Sequence, residues 1–150
     1  MGAVVILCDT REARPLHFPL NAILTEVRRE KLQIGDYQAL YTNGHRSQVV
    51  FERKSLPDLF GTFTRHYPRF KKRVVEARDR AISLHLAIEG TLTDVLAGLP
   101  RSSQSGDELV QRLFTVQHRY GLRLVFCASR AEMSRYIVET FEAVGRDLGR

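Results

Sequence analysis

The sequence predicts a three-layer α/β domain, with a central mixed sheet of about five strands flanked by helices. Val4-Val5-Ile6-Leu7-Cys8 is a near-continuous apolar run, the pattern of a strand covered on both faces. Asn43-Gly44 stands between two strand-like stretches, Tyr37 to Tyr41 and Gln48 to Lys54. Both turn residues tolerate positive φ, so the pair marks a hairpin. Two further strand-like segments, Leu84 to Glu89 and Leu122 to Cys127, alternate with helical patterns. A hairpin pairs antiparallel and a helical crossover returns parallel, so the sheet must be mixed. A chain of 150 residues fits one compact domain over residues 1–150.

The connecting elements follow in order. Leu20, Ile23, Leu24 and Val27 recur at helical spacing, predicting a helix from Pro19 to about Lys31. Ser55-Leu-Pro-Asp58 opens a helix, with serine as cap and an acid in the first turn. Pro68 suits the first position of the next helix, whose apolar stripe is Phe70, Val74, Ala77 and Ala81. A short helix carries Leu92, Val95 and Leu96 and stops at Gly98 and Pro100. Pro100 to Gly106 is a loop rich in serine. Leu109, Val110, Leu113, Phe114 and Tyr120 mark a longer helix that Gly121 ends. Ser129-Arg-Ala-Glu132 is a capping box opening a last helix, with Met133, Tyr136, Ile137, Phe141 and Val144 turned inward.

Composition narrows the classes. The chain is 43% hydrophobic and 27% charged, enough to build a core and unlike a disordered tail. No apolar stretch approaches the roughly 20 residues of a membrane span, and the N-terminus lacks a basic leader. Cys8 and Cys127, the two cysteines, each sit in an apolar run and form neither a disulfide framework nor a zinc motif. The expected setting is therefore a reduced, intracellular one. Net charge is +6. Arg65 to Arg80 concentrates it, with seven basic residues against Glu76 and Asp79. Such a run suits a polyanionic partner, and equally a solvated helix face.

The second hairpin strand carries the chemistry. Residues two apart share a strand face, so Glu52 and Lys54 point one way and Arg53 the other. Gly35-Asp36-Tyr37 begins the neighbouring strand and sets Asp36 beside Glu52. Two carboxylates from adjacent strands can hold a hard divalent cation such as Mg²⁺, and a lysine on the same face can orient or deprotonate an attacking water. Asp9-Thr10-Arg11-Glu12 adds two carboxylates and a guanidinium at the carboxyl end of the first strand, where sites of open α/β sheets collect.

Asp9-x-Arg11-Glu12, then Gly35-Asp36, then Glu52-Arg53-Lys54 with Asp58 four residues later, resemble the nuclease domain of the XPF family of structure-specific endonucleases. That domain belongs to the PD-(D/E)XK, restriction-endonuclease-like superfamily. The resemblance spans residues 4 to 145 and includes Ile88-Glu89-Gly90. It implies a restriction-endonuclease-like fold and a Mg²⁺- or Mn²⁺-dependent endodeoxyribonuclease. Its substrate would be branched or duplex DNA in repair or recombination. Asp36, Glu52 and Asp9 would be the metal-binding acids and Lys54 the catalytic lysine. Arg11, Glu12, Arg53 and Asp58 would support the motif by orienting the site or gripping phosphate. Arg65, Arg69, Lys71, Lys72, Arg73 and Arg80 are the expected DNA-backbone contacts. The resemblance also implies a homodimer or heterodimer through this domain; the apolar stripes of the last two helices offer a partner surface around Phe114, Tyr120, Tyr136 and Phe141, or else are wholly internal. The helix-hairpin-helix modules usual in the family are not expected within these 150 residues. The alternative is a non-catalytic DNA-binding or scaffold partner of a nuclease, since the family contains members whose site has decayed. The presence of Asp9, Asp36, Glu52 and Lys54 together favours the enzyme.

Overall fold

The computed structural model describes residues 2–149. In chain order it runs β1 Val4–Cys8, β2 Leu24–Arg29, β3 Tyr37–Tyr41, β4 Arg46–Ser55, α1 Leu56–Thr62, α2 Tyr67–Asp79, β5 Ser83–Glu89, α3 Leu92–Ala97, α4 Gly106–Tyr120, β6 Arg123–Cys127 and α5 Arg130–Leu148. The strands form one mixed sheet in the order β2-β1-β3-β4-β5-β6. The pairs β1–β3 and β3–β4 are antiparallel, while β1–β2, β4–β5 and β5–β6 are parallel. The predicted three-layer class is the observed one, with six strands in place of five.

The sixth strand is β2, where a helix was expected. The helical spacing of Leu20, Ile23, Leu24 and Val27 is coincidental: only Leu24 is buried, and Leu20 is 60% exposed. Asn21 Oδ1 accepts from the amides of Ile23 and Leu24 at 2.7 and 2.8 Å, turning the chain into an extended course. Val4 N then donates to Ile23 O at 2.8 Å and parallel pairing with β1 begins. An edge strand with one covered residue shows no period-2 signal, and its exposed Glu26, Arg28 and Arg29 keep the open edge charged.

Alternation along the strands divides the core. Val4, Ile6, Cys8, Tyr37 and Phe51 pack under α5 with Met133, Ile137 and Phe141. Val50, Leu84, Leu86 and Ile88 pack on the other face under α1, α2 and α4. Phe70, Val74 and Ala77 form the buried stripe of α2. Ala81 lies past its end, at φ 57°, in the turn into β5. Ser55, Ser105 and Ser129 cap α1, α4 and α5, each accepting from the backbone amide three residues on. Gly121, left-handed at φ 73°, ends α4. Both cysteines are buried thiols. Among the described residues no helix is long and apolar enough to cross a membrane.

Candidate active site

Gly35 is where the site is made. Its φ is +77°, and a Cβ there would collide with the Val50 side chain and meet the Phe51 carbonyl at 3.0 Å; only glycine brings the chain this close to β4. The next residue, Asp36, donates its amide to Phe51 O at 2.7 Å, and its carbonyl accepts from Asp9 N at 2.8 Å. The antiparallel register puts Tyr37 opposite Phe51, so Asp36 stands opposite Glu52 at the meeting of β1, β3 and β4.

Glu52 and Lys54 project to the α2 face. Lys54 Nζ lies 3.8 Å from Glu52 Oε1, and Arg73 Nη2, reaching in from α2, lies 3.4 Å from the same oxygen. Burial, and then the neighbouring Glu52 charge, push the Asp36 carboxyl up to about 7. Arg53 N donates to Asp36 Oδ2 at 2.8 Å. Two crowded carboxylates with a nearby lysine are a donor set that fits a hard divalent cation. Asp36 and Glu52 would hold it.

Asp9 is placed differently. Its Oδ1 accepts from Leu32 N at 2.7 Å and Arg11 Nη2 at 3.2 Å, and its Oδ2 from Arg11 Nε at 2.8 Å and Arg11 N at 3.1 Å. Burial acts to raise this carboxyl, but the Arg11 guanidinium and the two amides hold it below its ordinary value. Among the described residues no three acidic, histidine or cysteine side chains converge as a metal-holding group. Asp9 instead ties the end of β1 to the segment preceding Asp36.

Arg53 points to the opposite, α5 face. Its Nε and Nη2 bind the two Glu12 oxygens at 2.8 and 2.7 Å, and its Nη1 binds Glu89 Oε1 at 2.6 Å. The Glu12 contacts, followed by Glu89, raise the guanidinium's pKa further. Arg130, at the start of α5, shares Glu89 Oε1 at 2.7 Å and donates to the Arg14 and Pro15 carbonyls at 2.7 and 3.1 Å. Arg53 and Glu12 therefore brace the strand ends, leaving no free donor fork for phosphate. Arg130 carries no sequence signal beyond a basic residue next to a serine cap, and its partner lies 41 residues away. Asp58 is exposed in the first turn of α1, its amide donating to Ser55 Oγ at 3.3 Å.

Of the basic run, Arg65, in the turn before α2, and Arg69, Lys71 and Lys72 along it are exposed, and Arg73 is half-buried against Glu52. Lys71 Nζ rests 5.9 Å from the Tyr120 ring centroid. Arg80 is beyond the helix, paired with Glu76 at 3.6 Å and with the Gln33 side chain. Phe141, expected on a partner surface, is fully buried.

The family model described as the ERCC4 domain matches residues 8–140. The chain belongs to the ERCC4 domain family. This is the XPF-type kinship that the Gly35-Asp36 and Glu52-Arg53-Lys54 motifs suggest. Among solved structures the ERCC4 domain is similar to XPF from Aeropyrum pernix, with a TM-score of 0.69 and 20% identity over 97% of this chain and 67% of that one. It is also similar to XPF from Aeropyrum pernix in complex with DNA, with a TM-score of 0.66 and 19% identity over 95% of this chain and 65% of that one. The ERCC4 domain thus spans about two thirds of the length of those chains. No curated protein matches it by sequence.

Proposed function

We propose that this ERCC4 domain is a divalent-metal-dependent DNA endonuclease that hydrolyses phosphodiester bonds at branched or structured DNA in repair or recombination. The carrying observation is the convergence of Asp36, Glu52 and Lys54 on one sheet face, with Arg73 entering from the basic helix. A bound Mg²⁺ or Mn²⁺ would supply Lewis acidity to a phosphate oxygen there. Lys54 holds and orients the attacking water. Asp9 acts as a positioning group for the segment leading to Asp36, and the exposed Arg65, Arg69, Lys71 and Lys72, with Arg80, follow the DNA backbone. That a protein of similar fold is described in complex with DNA supports this choice of substrate. A partner surface lies at the open edge of β6, flanked by Phe114 at 44% and Tyr136 at 46% exposure.

Labelled duplex, flap, fork and single-stranded DNA, incubated with and without Mg²⁺ or Mn²⁺, test the activity. Cleavage should require the cation. Lys54→Ala should abolish cleavage and keep DNA binding, since one cation among many adds little affinity. Arginine should not restore full activity, because its guanidinium is a poor base. Asp36→Ala and Glu52→Ala should lose both cleavage and calorimetric Mn²⁺ binding. DNA binding by the intact chain without cleavage on any substrate would instead identify the non-catalytic partner.

A further inference from the structure

The α2 face of the sheet has a second feature beside the carboxylates. A cleft of about 360 Å³ opens between the 30–34 segment, the base of the β3–β4 hairpin and the end of α2. Its floor includes Val50 and Gln38, which face each other across β3 and β4. Strand residues two apart share a face, so this is the next pair on the face that carries Asp36 and Glu52, about 7 Å along the strands. Ile34 and Ile82 add to the apolar floor, while Lys31, Arg46 and Arg80 stand at the rim with Glu30. Three cations stand beside Glu30 here, with Arg80 also paired to Glu76 from outside the cleft. Two of them are already oriented, Arg46 by Glu30 and Arg80 by Gln33, so little ordering entropy remains to oppose binding.

We infer that this cleft is a nucleotide subsite beside the scissile phosphate. Lys31, Arg46 and Arg80 contact the phosphate of the neighbouring nucleotide, and its sugar lies against Ile82. The inference rests on the DNA endonuclease proposal and deepens it. The strand being cut leaves Asp36 and Glu52 through this cleft, so the basic surface of α2 continues past the helix end into the hairpin base. An apolar floor under a cationic rim suits a nucleotide whose base is free to turn from the stack.

The test measures DNA binding by fluorescence anisotropy in EDTA across a salt series, using a forked oligonucleotide. Lys31→Ala/Arg46→Ala should lower the slope of log K against log salt by up to about one, since both side chains contact the same phosphate. Arg119→Ala, a surface cation on α4, should leave the slope unchanged. Lys31→Glu alone, at an exposed position, repeats the test should loss of the Arg46 pair with Glu30 unfold the double variant. Single methylphosphonates placed along the strand locate the contact: one position next to the cut should weaken wild-type binding and not that of the double variant. An unchanged slope, or equal sensitivity of both proteins at every position, overturns the subsite alone. A wild-type chain that binds no DNA at low salt overturns the endonuclease proposal and the subsite with it.

Discussion

Arg73 separates the cations of α2 into two kinds. Arg69, Lys71 and Lys72 face solvent and can meet only a backbone laid along the helix, whereas Arg73 reaches the oxygen that Lys54 also approaches. Arg73→Ala should therefore lower kcat roughly a hundredfold with KM little changed, the scale of losing one preorganised charge at a reacting centre. Arg69→Ala should raise KM and spare kcat, and steady-state kinetics on one substrate distinguishes the two. Helical spacing puts Arg69, Lys72, Arg73 and Arg80 on the solvent-facing side opposite Phe70, Val74 and Ala77; the structure instead turns Arg73 toward Glu52, because that face of α2 lies over β4. Asp36 carries a second expectation. Its carboxyl is raised from 3.8 to about 7 by burial and by Glu52, so between those values the folded chain holds a proton that the unfolded chain has released. Stability from this group is present at low pH and declines as pH rises through that window. In EDTA, Asp36→Asn should melt above wild type at pH 8 and by a smaller margin at pH 5. Mn²⁺ should raise the wild-type melting temperature more at pH 8 than at pH 5, because a ligand must be deprotonated to bind. Calorimetry at the two pH values checks both.

The elements reach the site through a brace on the far side of the sheet. Glu12 follows β1, Arg53 lies in β4, Glu89 ends β5 and Arg130 opens α5; their side chains join these four places in one ion-pair network. Arg53 and Glu12 are 11% and 5% exposed, so deleting one partner leaves a charge buried. Glu12→Ala should cost about 3 kcal/mol in urea unfolding, while Glu12→Ala/Arg53→Met should recover much of that loss, since apolar replacement of a buried pair is often near neutral. Additive losses in that cycle would show that the two residues act independently. Strand alternation alone tells that Arg53 points away from Glu52 and Lys54. It does not tell that the far side holds Glu12, Glu89 and Arg130, because Glu12 and Glu89 lie 41 and 36 residues from Arg53 and Arg130 lies 41 residues from Glu89. At β2 even the element type is not legible in the sequence. Four apolar residues at helical spacing outweigh one covered leucine when periodicity is the only guide, and pairing to β1 decides otherwise.

Across the whole molecule, β2 and β6 are the two sheet edges, and they differ. Exposed Glu26, Arg28 and Arg29 guard β2, whereas β6 lies between exposed Phe114 and Tyr136, the edge less defended against pairing. Light scattering at micromolar protein should give a dimer that Phe114→Glu/Tyr136→Glu converts to monomer with an unchanged circular dichroism spectrum; a wild-type monomer would refute the partner surface. The sequence by itself determined the α/β class, the hairpin and the motif that leads to the ERCC4 family. Each is local: a continuous apolar run, an Asn-Gly turn, a glycine before an aspartate, and side chains alternating along one strand. Helix starts at Ser55 and Ser129 are local as well, because a cap bonds an amide three residues on. Tertiary structure alone decided that residues 24–29 pair as an edge strand, that Asp9 is occupied by Arg11 and Leu32, and that Arg73 turns in to Glu52. It also decided that Phe141 belongs to the core. Each of these outcomes depends on which surface another segment covers, and that is settled only when the chain packs.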